Sequence, residues 1–293
     1  MKHINLNASE LSIITGDNPY KSISELIIKL FQKNFPTDYF SIVREIKNQN
    51  KKITKELKPR EILDNLSKQN NVNVKQEIDK CFNSNTTQEL SKNKQKLKEK
   101  FKDKLDKEQI KQLEKSVNDL TNTCFGTKQE NNALILYNQL TGIEVQSINK
   151  YHTKNLFQTR IAFWNIGGKI DGITSDMKTI VEVKNRVNKL FNQLRDYEKI
   201  QTYAYMNIFD KKKATLVECL KTNNSEMNFI DIKYQKSFWD NHIEPRIIAF
   251  IKLFEKVVKN PELQLFMLTE CKEDIETFIN NFISQRLNKK NNN

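Results

Sequence analysis

The chain has 293 residues, 37% hydrophobic and 29% charged, with a net charge of +13 and a pI of about 9.4. That length can bury a real core as one large domain or two small ones, but an apolar share below the usual ~45–50% leaves part of the chain adding little to it. No run approaches the ~18 apolar residues of a membrane span, and the positive balance favours a polyanionic partner, nucleic acid before membrane.

The first 16 residues, MKHINLNASELSIITG, hold no continuous apolar stretch of signal-peptide length, so secretion is not expected. SELSIITG reads as a helix stopped by Gly16, and GDNPYKS as a turn. SISELIIKLFQK then places Ile23, Leu26, Ile27, Leu30 and Phe31 at helical spacing. Residues 36–122 differ in character. Within them SKNKQKLKEKFKDKLDK, 91–107, carries eight lysines against three acids, with Leu97, Phe101 and Leu105 recurring every four. This predicts an exposed amphipathic helix with one narrow stripe, in a solvated helical insertion or as a basic arm lying on nucleic acid.

TKQENNALILYNQLTG predicts a helix that opens at Thr127 and stops at Gly142, with IEVQSI a short strand beyond it. Residues 157–185 are rich in β-branched and aromatic residues and predict strand, strand, hairpin, strand. A helix over 189–208 and a second hairpin, ATLVECLKT with MNFIDIKYQ around NNSE, follow. From Phe238 onward the pattern is helical, and the tail NKKNNN is expected to be disordered. Cys81, Cys124, Cys219 and Cys271 are far apart and suggest neither zinc nor a disulfide framework, which fits reduced thiols in an intracellular protein.

The chemistry concentrates in GGKIDGITSDMKTIVEVKNRV, 167–187. Side chains alternate across a strand, so Val181 and Val183 face one side and Glu182 and Lys184 the other. If GGKIDGI pairs antiparallel through the TSDMK turn, Asp171 lies beside Glu182. Gly168 and Gly172 are then expected to clear room for a close backbone or phosphate approach. Two converging carboxylates repel unless a cation lies between them, and a hard divalent ion such as Mg²⁺ takes oxygen ligands. A lysine within reach would favour hydroxide and offset charge building on a phosphate. Asp, then Glu-x-Lys, therefore holds the parts for metal-assisted phosphodiester hydrolysis. On their own, Glu182 and Lys184 fit an ordinary ion pair on an exposed strand face better than they fit a site. YEKIQTYAYM places Gln201 on the following helix, near Lys184. Glu130 reads either as part of a Thr127–Glu130 capping box or as a third carboxylate.

The order of these blocks, Glu130 in a helix, Asp171, Glu182-Val183-Lys184 and a Gln201-bearing helix, resembles the PD-(D/E)xK nuclease superfamily. NASELSIITGDNPYKSISEL and GTKQENNALILYNQLTG are similar to the YqaJ-like viral recombinases, the lambda-exonuclease-type alkaline nucleases; the likeness covers about 10–35 and 125–255. It implies an α/β (mixed α+β) restriction-endonuclease-like core, a central mixed sheet flanked by helices, made of 1–35 and 123–255. A Lys-rich helical insertion (36–122) and a C-terminal helical segment with a tail (256–293) complete the chain. It also implies roles. Asp171, Glu182 and the Val183 carbonyl would bind metal, Lys184 would act on the water and the scissile phosphate, Glu130 would complete the acidic cluster and Gln201 would support it. The implied activity is Mg²⁺-dependent degradation of linear double-stranded DNA from a free end, with Mn²⁺ as a substitute. The implied partners are a single-strand-annealing protein and further copies of the chain, in an infected cell and not at a membrane. Ile170 stands where the family often has proline, and no arginine matches a 5′-phosphate-binding position, so cleavage polarity does not carry over. A structure-specific endonuclease of the same fold and a catalytically silent DNA-binding protein are the rival readings.

Overall fold

The computed structural model describes residues 1–49, 59–70, 74–84, 87–148, 150–186, 189–220 and 226–291. It opens with a strand that the sequence reading missed: β1, Lys2–Asn7, buries Ile4 and Leu6 between polar neighbours. A 3₁₀ turn, Ala8–Glu10, leads into the short helix α1, Leu11–Ile14, which ends at Gly16 in the left-handed conformation (φ 80°). The Asn18 side chain accepts from the amides of Tyr20 and Lys21 and closes the expected turn. Ser22 then caps α2, Ile23–Asn34, and α3, Pro36–Asn48, starts on a proline.

Four helices follow: α4 (Pro59–Gln69), α5 (Val74–Phe82), α6 (Thr87–Phe101) and α7 (Lys107–Thr141). Leu63, Leu66, Val74, Ile78, Cys81, Leu97, Phe101, Leu105, Leu113 and Val117 form a small core of their own. The stripe of Leu97, Phe101 and Leu105 is therefore buried, not exposed: α4, α5 and α7 supply the apolar partners that the local sequence does not announce. A second correction concerns α7. It starts with a reciprocal Asp106–Gln109 capping box and runs without interruption to Gly142, which is left-handed (φ 71°). Thr127 and Glu130 lie inside this helix, so they form no N-terminal cap.

The strands are β2 (Val145–Ser147), β3 (His152–Gln158), β4 (Ala162–Gly168), β5 (Gly172–Thr174) and β6 (Thr179–Arg186); after helix α8 (Asp196–Ile208) come β7 (Lys213–Leu220) and β8 (Met227–Lys233). They form two mixed sheets, ordered β1-β4-β3 and β2-β5-β6-β7-β8. Both expected hairpins are present, β5–β6 and β7–β8 pairing antiparallel, while the tip of the second (221–225) lies outside the described residues. β6 and β7 are parallel, and α8 is the crossover that such a pair needs. The helix begins at Asp196, not 189, because a buried carboxylate on β7 captures the Phe191 and Asn192 amides and holds that stretch as a loop.

The chain ends with α9 (Lys236–Phe238), a π turn (Trp239–Ile243), α10 (Glu244–Lys259), α11 (Pro261–Thr269) and α12 (Lys272–Asn291). The tail expected to be disordered is helical through Asn291; 292–293 lie outside the described residues. The main core joins α1, α2, α3, β1, β4, α8 and α10–α12 around Ile4, Phe31, Trp164, Tyr203, Phe250 and Phe254. Across the five-stranded sheet, Ala133, Leu134 and Tyr137 of α7 pack on Val181, Val183 and Val217. One face of β6 thus meets α7 and the other meets α8. Among the described residues no helix is long and apolar enough to cross a membrane.

Candidate active site

The site is built where the chain passes from one sheet to the other. β4 ends at Gly168 and β5 starts at Gly172, so Asp171 sits at the crossing. The β5–β6 turn is set by Thr174 and Asp176, whose side chains bond at 2.6 Å, by the Lys178 amide on Asp176 Oδ1 (3.0 Å), and by Met177 at φ 60°. This turn pairs Gly172 with Val181 and Ile173 with Ile180. The next pair along places Asp171 opposite Glu182, as the sequence predicted. The Asp171 side chain then takes over from the ladder, Oδ2 accepting the Val183 amide at 2.8 Å.

Val181 and Val183 go to the α7 side, and Glu182 and Lys184 face α8. The Lys184 ammonium donates to Glu182 Oε1 (2.8 Å) and Gln201 Oε1 (3.1 Å). Gln201 Nε2 donates to Glu182 Oε1 (3.2 Å) and to the Tyr205 hydroxyl (2.9 Å). Asp171, Glu182, Lys184 and Gln201, spread over 31 positions from 171 to 201, are thereby brought together. Glu130 lies one turn ahead of Ala133 and Leu134 on α7, and its charge reaches Glu182.

Glu182 is almost fully buried, and burial pushes its carboxyl up to about 8; Lys184 opposes the shift while Asp171 and Glu130 add to it. Asp171 is raised too, by burial, against the Val183 amide, Lys184 and Lys169. Burial alone would lower Lys184, but Glu182 and Asp171 outweigh it and hold the ammonium above its ordinary range. Among the described residues Glu182 Oε2 is buried and meets no hydrogen-bond donor. An unpartnered carboxylate oxygen inside a protein costs about 1–3 kcal/mol or more unless something positive meets it. The donor set is all oxygen and acidic, which suits a hard divalent cation and not a soft one. Among the described residues no three His, Cys, Asp or Glu side chains form a ready-made metal cage; Asp171 and Glu182 lie side by side, and Glu130 acts on Glu182 through its charge.

Three features here were not foreseen. Gly168 and Gly172 leave no open room. A Cβ at Gly168 would lie 2.5 Å from the Tyr205 ring, and one at Gly172 2.5 Å from Val145, so side chains fill the space expected for a phosphate. Tyr205, one turn beyond Gln201, is therefore part of the site. Two residues past Lys184, Arg186 is clamped bidentately by Glu198 (2.7 and 2.9 Å) and by Glu218 (2.7 Å). Glu218 comes from a different strand 32 positions away, so no local pattern could have revealed the triad.

The YqaJ-like viral recombinase domain matches residues 77–227, just over half of the chain. No curated protein sequence matches significantly. Among solved structures, an alkaline exonuclease, LHK-Exo, from Laribacter hongkongensis is similar over 61% of this chain and 86% of its own, at 14% identity and a TM-score of 0.36. A phage-related exonuclease from Haemophilus somnus 129PT is similar over 45% of this chain and 70% of its own, at 16% identity and a TM-score of 0.36.

Proposed function

The chain belongs to the YqaJ-like viral recombinase domain family, nucleases of the lambda-exonuclease type, and from that premise we propose a divalent-metal-dependent deoxyribonuclease that degrades linear double-stranded DNA from a free end. The observation that carries this reading is the buried, unpartnered Glu182 oxygen beside Asp171, with Lys184 held against the same carboxylate. A binding protein needs lysines, but it gains nothing from burying an acidic pair that repels phosphate.

In this reading Asp171, Glu182 and the Val183 carbonyl would hold a divalent cation, taken to be Mg²⁺ with Mn²⁺ as substitute, which would supply an acidified water and charge withdrawal from a phosphate oxygen. The chain's own groups do the rest. The Val183 amide fixes the Asp171 carboxylate in rotation. Gln201 orients Lys184, whose ammonium faces the attacked phosphate and offsets the charge that builds on it. Glu130 deepens the negative field from α7.

The domain reading keeps 1–35 and 123–255 as nuclease core and adds α3, α11 and α12, whose buried side chains enter the same cluster. The helical unit around Leu63–Val117 is the insertion within it. An intracellular setting, an annealing protein and further copies of the chain as partners belong to the same proposal. The test is Mg²⁺-dependent digestion of linear, nicked and closed-circular duplexes, with Asp171→Ala as control. Loss of linear DNA alone supports an exonuclease, and cutting of closed circles supports an endonuclease. Intact substrates throughout would leave a silent DNA-binding protein.

A further inference from the structure

The three-stranded sheet β1-β4-β3 has two unlike faces. Strand alternation sends Ile4, Leu6, Trp164 and Ile166 inward to the main core. The outer face stays open to solvent: Phe163 and Asn165 on the central strand are only half-buried, and His3, Asn5 and Asn155 beside them are exposed. The register lines these residues up in rows. His3 lies opposite Phe163, and their rings stack with centroids 5.0 Å apart and planes 18° apart. In the next row Asn165 Nδ2 donates to Asn5 Oδ1 (3.0 Å) and Asn155 Nδ2 donates to Asn165 Oδ1 (3.4 Å). Three amides on three strands thus form one polarised row, with a donor at the Asn5 end and an acceptor at the Asn155 end. Beyond it the Tyr151 ring lies on Gly167, where a Cβ would collide with it, and its hydroxyl donates to Asn7 Oδ1 (2.9 Å).

The charge around this face has one sign. Residues 1–9 and 145–170 hold no Asp or Glu, while Lys2, Lys150, Lys154, Arg160 and Lys169 are all exposed. The acid whose charge reaches Tyr151 is Glu10, which is buried and ion-paired with Lys29. A polyanion therefore meets attraction along the rim and rings and amides in the middle. Nucleotide bases stack on aromatic side chains and offer their edges to amides. A duplex hides the faces of its bases inside the stack, so the outer face fits single-stranded DNA and not the duplex. β4 also leads from this face to the acidic site: it ends at Gly168, five positions past Phe163, and Asp171 follows three positions later.

We propose that the outer face of β1-β4-β3 is a binding surface for single-stranded DNA, with the His3–Phe163 stack and Tyr151 as base platforms and the amide row between them. Its occupant during turnover is the strand left uncut when its complement is degraded. That last assignment rests on the nuclease reading; the binding itself does not.

The test uses the full chain in EDTA, so that nothing is cut, with a fluorescein-labelled oligothymidylate of about 15 nucleotides and a blunt duplex of the same length. By anisotropy, the double variant His3→Ala, Phe163→Leu binds the single strand about ten-fold more weakly and the duplex as the parent does. Phe163→Leu keeps apolar volume while removing the ring. His3→Ala alone changes an exposed position, keeps the fold, and gives a smaller loss in the same direction. Asp171→Ala leaves single-strand affinity at the parent's value. An iodouracil-substituted oligonucleotide irradiated on the parent protein crosslinks to His3, Tyr151 or Phe163. Parent single-strand affinity in both variants, an equal loss for the duplex, or crosslinks confined to other elements each overturns the proposal. Dissociation of an oligomer by the double variant, with single-strand binding unchanged, overturns it in favour of a contact between copies of this chain. If the binding results hold but Mg²⁺ leaves every duplex intact, the nuclease reading falls and the surface stands.

Discussion

One face of β6 carries two buried ionic clusters, a few ångströms apart along the strand and opposite in character. Around Arg186 every charge is met. The guanidinium reaches both Glu198 oxygens and Glu218, it stacks 4.2 Å from the Phe191 ring centroid, and Glu218 also accepts the Phe191 and Asn192 amides and the Asn228 side chain. Around Lys184 the account does not close: among the described residues Glu182 Oε2 meets no donor, and Asp171 is raised by burial. A structural cluster saturates its donors and acceptors, because a leftover buried charge is costly. A site meant for a ligand leaves an acceptor open at that cost. The saturated cluster pins the loop before α8, and so helps to set where Gln201 faces the open one.

The sharpest way to break this contrast is to remove one member of each cluster. Lys184→Ala should lower cleavage of linear duplex by about 10³-fold in Mg²⁺, and Asp171→Ala at least as much, with the fold intact by circular dichroism. Parent-level cleavage in either would overturn the site assignment as drawn, because that residue would then take no part in it. Arg186→Met should act mainly on stability. It strands two buried glutamates, so urea unfolding should show a loss of about 3–5 kcal/mol. If Arg186→Met leaves stability unchanged, the saturated cluster is not structural and the comparison fails.

The two glutamates also titrate in opposite senses. Glu182 is raised, to about 8, by burial. Folded, it binds its proton more tightly than unfolded, so in the metal-free protein its contribution is intact below the usual carboxylate range and is lost as pH climbs through about 8. For Glu218, burial pushes upward, but Asn228, the Asn192 amide and Arg186 prevail and hold it low. Its contribution is intact above the usual range and lost only in acid. Protons compete with a cation for Glu182 and not for Glu218. The thermal shift produced by Mg²⁺ should therefore be larger near about pH 8.5 than near about pH 6, and Glu182→Gln should abolish the difference. A pH-independent shift in the parent would move the cation away from Glu182.

How much of this was readable beforehand follows from range along the chain. The β5–β6 hairpin was legible because its turn residues and its alternation are local, and Gln201 was legible because the helix that carries it is the next element after β6. The Arg186 triad was not, since Glu218 meets it only through the parallel register of β6 with β7. β1 escaped because Ile4 and Leu6 are too few to stand out, and their burial comes from parallel pairing with β4, some 160 positions on. The stripe in 91–107 was legible but its exposure was not, because its partners lie on three other helices. TKQE has the form of a cap, yet the sequence before it also sustains helix, so α7 passes through it.

That last point sets the smallest prediction. A carboxylate in a helix interior does not hold the helix end together, so Glu130→Ala should not fray α7 as loss of an N-cap would, and the melting temperature should change by less than the ~1 kcal/mol a lost cap costs. Its charge nevertheless reaches Glu182 and helps to raise it. Removing that charge should ease ionisation of Glu182 and at the same time weaken the field that attracts a cation, and cation attraction is the term that matters at saturating pH. The expected outcome is a several-fold higher Mg²⁺ requirement for half-maximal cleavage, with kcat at saturating Mg²⁺ close to the parent's. A fall in melting temperature with an unchanged Mg²⁺ requirement would assign Glu130 to packing against the sheet and leave Asp171 and Glu182 as the whole of the acidic site.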